Sequence, residues 1–113
     1  MAGEPSFFEV GARDGRRARA FYEQLFGWTF HAMEGDQAWI ETPSAVRGGL
    51  HDEDPDPRVE VYFRVDDIDA AARQVRELGG SADDPGPETP GFGRFLRCAD
   101  DQGTAFGLHQ PPA

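Results

Sequence analysis

FFEVGARDGRRARAFYEQLFGWTF, residues Phe7 to Phe30, reads as strand, helix and strand in one continuous phrase. Phe8, Val10 and Ala12 fall on one face at period two, the signature of a half-buried strand. Asp14 is placed to cap a helix, because its carboxylate accepts from the free amides of the first turn. Ala18, Phe21, Tyr22, Leu25 and Phe26 then recur at helical spacing as one apolar stripe. Gly27 follows at once, where a helix ends most easily in the left-handed conformation.

The phrase returns at Val59 to Ala82, VEVYFRVDDIDAAARQVRELGGSA. Val61, Phe63 and Val65 alternate, Asp66 or Asp67 is the cap, and Ile68, Ala71, Ala72, Val75 and Leu78 form the stripe. Gly79-Gly80 ends it. Both halves then close on the same tripeptide, Gly49-Leu50-His51 and Gly107-Leu108-His109. Two copies in register imply two repeats of one supersecondary unit.

Between these landmarks the chain reads as short strands separated by turns. Strands are expected near 28–33, 37–41, 46–51, 94–99 and 104–109, with a remnant near 81–84. Residues 1–5 are expected as a loose leader. The expected organisation is therefore a single domain of two βαβββ modules, about residues 6–51 and 59–110, joined by a linker at 52–58. The fold class is α+β.

Composition narrows the function. A net charge of −10 opposes binding to nucleic acid or to an anionic membrane, both of which require basic surface. The basic residues number eleven, all arginine. The acidic stretches, His51 to Asp56 above all, read as solvated connections. No segment approaches the ~20 apolar residues of a membrane span. The first residues, MAGEPSFF, lack the basic and apolar regions of a signal peptide, so a soluble, cytoplasmic protein is expected. Cys98 is the single cysteine, which leaves no internal disulfide, and it is expected to be buried as a small hydrophobe.

The order and spacing of several phrases resemble the vicinal oxygen chelate superfamily, the glyoxalase/bleomycin resistance/dioxygenase family. These are Asp14 with Ala20-Phe21-Tyr22 and Leu25-Phe26-Gly27-Trp28; Val65-Asp66-Asp67-Ile68 with Leu78-Gly79-Gly80; and Asp100-Asp101-Gln102-Gly103-Thr104-Ala105-Phe106-Gly107-Leu108. Asp101 stands where the family usually has proline. The resemblance implies two βαβββ modules with curved mixed sheets around a concave cavity, usually in a homodimer. It also implies, in the family's enzymes, a divalent metal held by residues of the first and last strands of the modules.

Carried onto this chain, the metal positions fall on Phe7, Gly49, Glu60 and Gly107, and only Glu60 is a ligand type. The resemblance therefore points to the metal-independent, small-molecule-binding type, of which the bleomycin-resistance proteins are the precedent, with no cofactor. The expected ligand is a small organic, aromatic molecule. Strand parity sets Phe7, Glu9, Gly49, His51, Glu60, Tyr62, Gly107 and His109 as candidates for the cavity; Trp39, whose parity in its short strand is open by one residue, Phe92 and Phe95 join them as aromatics suited to line it. Gly49 and Gly107 are expected to leave extra room, and the loop 85–93 to lie over the mouth. The alternative is a divergent enzyme, using either a displaced divalent metal at His51, Glu60 and His109 or Glu60 as a general base.

Overall fold

A computed structural model describes residues 2–113. The elements run β1 (Pro5–Gly11), α1 (Gly15–Phe26), β2 (Thr29–Ala32), β3 (Ala38–Glu41), β4 (Arg47–His51), β5 (Arg58–Arg64), α2 (Ile68–Glu77), β6 (Ser81–Ala82), β7 (Arg94–Ala99) and β8 (Ala105–Gln110). This is the βαβββ pattern twice over, the fold of the vicinal oxygen chelate superfamily. The chain forms two compact units, residues 7–60 and residues 61–113, the latter joined by the N-terminal residues up to Ser6.

In the first unit the strand order is β2-β3-β4-β1. β1 runs parallel to β4, with Phe7 opposite Arg47, Glu9 opposite Gly49 and Gly11 opposite His51. β3 is antiparallel to both β2 and β4. The second unit repeats this order as β6-β7-β8-β5. There β5 is parallel to β8, with Tyr62 opposite Gly107 and Arg64 opposite His109.

Each helix is fixed at its start by two acceptors. Asp14 accepts from Arg17 N and Asp67 from Ala70 N, both at 3.1 Å, as N-cap carboxylates do. A second acceptor arrives from the residue just after the last-strand histidine. Gly15 N donates to Asp52 Oδ1 at 2.6 Å, and Ile68 N donates to Gln110 Oε1 at 2.9 Å. α1 ends on Gly27 at φ 72°, a conformation that costs glycine no Cβ clash. α2 is capped by Leu78, and Gly79 follows at φ 92°.

The cores lie between each helix and the sheet face it covers. In the first unit Val10, Ala12, Phe30, Ala38, Ile40 and Leu50 are buried, with Phe8, Ala18, Tyr22 and Trp28 packed against them. In the second, Ile68, Ala72, Leu96, Cys98 and Leu108 form the corresponding cluster. The expected α1 stripe is wider than the core it covers: Phe21, Leu25 and Phe26 remain 60%, 58% and 54% exposed. Trp28 accounts for part of this, since its ring lies 4.7 Å from Phe26 and 5.5 Å from Tyr22 at the helix end.

Two connections differ from expectation. The leader is pinned, because Gly3 N donates to Arg64 O and Arg64 N donates to Glu4 O. The acidic linker is likewise ordered against its own unit. Asp54 N donates to Ala12 O, Asp52 caps α1, and Glu53 takes φ 57° to make the turn. Loop amides and a helix start need acceptors, and this run of carboxylates supplies them. No helix of the described residues is long and apolar enough to cross a membrane.

Candidate functional site

In each unit the sheet face opposite the helix carries the chemistry-bearing residues. In the first unit, pairing across β1, β4 and β3 sets Glu9, Gly49 and Trp39 in one row. Trp39 therefore shares the face of Glu9. His31 stacks on Trp39 with ring centroids 3.9 Å apart and bonds Glu41 at 2.9 Å. The Arg47 guanidinium lies over the same indole at 5.8 Å.

His51 ends β4 between two carboxylates. Its Nδ1 lies 3.2 Å from Glu9 Oε2 and its Nε2 lies 2.7 Å from Asp54 Oδ2. Where both carboxylates are ionised they only accept, so each ring nitrogen that meets one donates, an arrangement that favours the imidazolium. Burial pulls His51 down, but the hydrogen bonds to Asp54 and Glu9 outweigh it and the pKa rises above 6.5. Burial raises Glu9 above 4.5, with His51 opposing and Glu60 adding to the rise. Asp54 falls below 3.8, first because Asp56 N donates to it and then because His51 does. Asp54 was absent from the expected site. The signal for it was its place three residues after His51, where a turn brings the two together.

Glu60, the expected candidate base, has its buried carboxylate 3.2 Å from Arg58. Phe7, at the matching position of β1, is equally buried.

The second unit fills the same frame with aromatic groups. His109 is buried, and its Nε2 lies 2.6 Å from Phe92 O. A carbonyl only accepts, so Nε2 carries the hydrogen, and Ser6 Oγ, 2.8 Å from Nδ1, can donate to the other nitrogen. Phe95 stacks on His109 at 4.7 Å, and Tyr62 meets Phe95 edge-on at 5.7 Å. The loop 85–93 is tied to this unit through the Phe92 carbonyl and through Arg94, whose Nε donates to Gly86 O.

The room expected above the two glycines is taken. A Cβ on Gly49 would stand 2.9 Å from Glu9 Oε1, and a Cβ on Gly107 would strike the Tyr62 ring. Tyr62 requires a glycine at 107, whereas at 49 the contact is with the flexible end of Glu9. Among the described residues no group of three or more His, Cys, Asp or Glu is disposed to hold a metal. A separate hollow of about 350 Å³ lies on the helix side of the second unit, lined by Val75, Leu78 and Phe106 with Asp100 and Asp101. It includes none of the expected site residues.

The model of the glyoxalase-like domain matches residues 7–109. The chain belongs to the glyoxalase-like domain family. Among curated proteins, it is 35% identical over 102 residues to "Putative glyoxylase CFP32" of Mycobacterium tuberculosis, covering 83% of this chain and 39% of that protein. It is 28% identical over 127 residues to the anthracycline biosynthesis protein DnrV of Streptomyces peucetius, covering 94% of this chain and 46% of that one. This glyoxalase-like chain thus spans less than half the length of these relatives. Its fold matches methylmalonyl-CoA epimerase from Mycobacterium tuberculosis with a TM-score of 0.73 at 20% identity, over 97% of this chain and 89% of the other. It also matches homoprotocatechuate 2,3-dioxygenase from Brevibacterium fuscum with a TM-score of 0.78 at 20% identity, over 99% of this chain and 37% of the other.

Proposed function

We propose that this glyoxalase-like chain binds a small, planar aromatic molecule without a metal ion. The observation that carries the reading is the filling of the family's metal positions. Phe7 and Glu60 hold the first-strand positions, and Glu60 is paired with Arg58. Glu9 and Tyr62 lie over Gly49 and Gly107, where the carboxylate ligands would stand. The displaced set fares no better as a donor set. Both ring nitrogens of His51 face carboxylates, and Nε2 of His109 is committed as a donor to a carbonyl. A metal needs a deprotonated ring nitrogen, so these residues do not fit one.

The aromatic side of the proposal rests on the Trp39–His31 and Phe95–His109 stacks and on Tyr62, which provide flat apolar surface beside a few polar groups. That DnrV is an anthracycline biosynthesis protein is consistent with a fused-ring ligand. We extend the proposal to a homodimer, the arrangement that the family resemblance implies, and to the cytoplasm, the compartment expected from the sequence.

Native mass spectrometry of protein purified without chelator or affinity metal tests all of this together. A dimer with an organic adduct and no divalent ion is the expected spectrum. One divalent ion retained per site after desalting would sink the metal-free reading, and a monomer would sink the dimer. Zinc titration by calorimetry gives the second readout, and no heat of stoichiometric binding is expected.

A further inference from the structure

We propose that the hollow on the helix side of the second unit binds a small organic ammonium ion, with its apolar body in the hollow and its charge against Asp101. The site is separate from the sheet face proposed for the aromatic ligand and does not rest on that reading.

The sequence builds the hollow where α2 stops. Gly79 takes φ 92°, which turns the chain out of the helix at once. Gly80 then lets the chain approach β7 closely, since a Cβ there would stand 2.5 Å from Ala99 O and 3.0 Å from Val75 Cγ1. The space left beside this junction is about 350 Å³, at the lower end of the ~300–1,000 Å³ of small-molecule sites. Val75 and Phe106 line it and also pack against the buried cluster of the unit, so they are held in place. Leu78 lines it as well and is 70% exposed. Covering these three side chains removes apolar surface from water.

The charge comes from two sources. The turn from β7 to β8 brings Asp100 and Asp101 to the hollow. Asp100 is spent on the turn itself: its Oδ1 accepts from Gln102 N at 2.9 Å and from Thr104 N at 3.0 Å. Those bonds hold it below 3.8 and fix the turn. Asp101 takes no part in them, so its carboxylate is presented to the hollow from a rigid mount. The last turn of α2 is the second source, because it forms part of the wall and carries the negative end of the helix dipole. Arg76 in that turn is engaged with Ala82 O and Asp83 O, both at 3.1 Å, and does not line the hollow. The net charge of −10 adds a long-range attraction for cations. A primary ammonium has three donors, which suit a carboxylate and the carbonyls that a helix end leaves over. An anion of the same shape would meet negative charge from both sources.

The test titrates the nitrogen-15-labelled full chain with 2-phenylethylamine hydrochloride at low salt and follows the backbone amides. Saturable shifts at residues 75–80 and 100–106 are expected. 2-Phenylethanol, nearly the same shape and uncharged, is expected to bind about fivefold more weakly, and phenylacetate to leave these amides unmoved. Asp101→Asn is expected to remove the preference for amine over alcohol. Leu78→Lys, which sets a cation beside the hollow, is expected to abolish amine binding. Both positions are exposed, and equal melting temperatures check that the variants fold. Amine shifts that do not saturate, equal affinity for amine and alcohol, or a preference that survives Asp101→Asn each overturn the proposal. Shifts confined to the sheet face around Trp39 or Tyr62 support the aromatic-ligand reading and overturn the present one. Shifts at 75–80 and 100–106 on diluting the protein alone would make a second copy of the chain the occupant, which also overturns it.

Discussion

The two βαβββ units share a backbone plan and differ in what stands on it. Each has an aspartate N-cap, a parallel first-to-last strand pair, a glycine in the last strand and a histidine two residues later. Opposite that glycine the first unit places a carboxylate, Glu9, and the second a phenol ring, Tyr62. The histidines follow suit. His51 lies among charged partners, whereas His109 lies between a hydroxyl, a carbonyl and the Phe95 ring. The lesson is that the residues dictating the chain path are repeated, while the face opposite the helix is free to diverge. Backbone turns, caps and close approaches tolerate few residue types, and an outward strand position tolerates many.

Filling the two glycines probes that divergence most strongly. Gly107→Ala puts a methyl group into the buried Tyr62 ring, which Phe95 holds from the other side. The ring cannot turn away without displacing its neighbours, so a loss of about 1–3 kcal/mol is expected from overpacking. Gly49→Ala meets only the end of the Glu9 side chain, which can swing out at the expense of its bond to His51. Its cost should be the smaller of the two, and the His51 pKa should fall while its bond to Asp54 persists. Urea denaturation of the two variants measures the difference, and equal losses would show that Tyr62 is as mobile as Glu9.

The auxiliary caps come next in size. Asp52 and Gln110 occupy equivalent places and accept from the first helical amide of their own units. Replacing either by alanine removes one acceptor while Asp14 or Asp67 still serves the first turn. A loss of roughly 0.5–2 kcal/mol is expected for each. Asp52 carries charge toward the positive end of the α1 dipole and Gln110 does not, so the comparison can be sharpened by Gln110→Glu. That variant should gain a few tenths of a kcal/mol, and the gain should fade in high salt. A gain that salt leaves untouched would show that the dipole is not its source.

Much of this plan was legible along the chain. The repeat, the Asp14 cap, a second cap at Asp66 or Asp67, the order of elements along the chain and the parity of Glu9, Glu60, Tyr62 and both histidines follow from local periodicity. What stayed hidden depends on register between distant strands. That Glu9 leans over Gly49 and reaches His51, 42 positions away, is fixed by the β1–β4 pairing and by no local pattern. Asp52 and Asp54 looked like solvated acid because a run of aspartates gives no sign of which amide each will meet. The α1 stripe erred in the other direction. Helical spacing identifies a face, but how much of that face is covered depends on what packs beneath it, and Phe21 and Leu25 are left exposed.

The smallest effect should be the pH dependence that separates the two histidines. Hydrogen bonds to Asp54 and Glu9 prevail over burial and raise His51 above 6.5, so the folded state favours its charged form. The stability this adds is fully present below 6.5 and is lost as pH rises through the higher folded value. The ring is substantially exposed, so solvent screening holds the contribution to about 1 kcal/mol or less. Melting temperatures of wild type and His51→Gln between pH 6 and 9 should therefore differ most at the acid end and converge toward the alkaline end. Below pH 4 a second loss is expected. Asp54 and the turn aspartate Asp100 lie below their ordinary values, so they stabilise the fold above 3.8 and cease to do so as pH falls through their folded values. In the second unit the corresponding histidine meets Ser6 Oγ and Phe92 O instead. A gap between wild type and His51→Gln that stays constant across the range would mean that His51 contributes by packing alone, and the charge-based contrast with the second unit would fall.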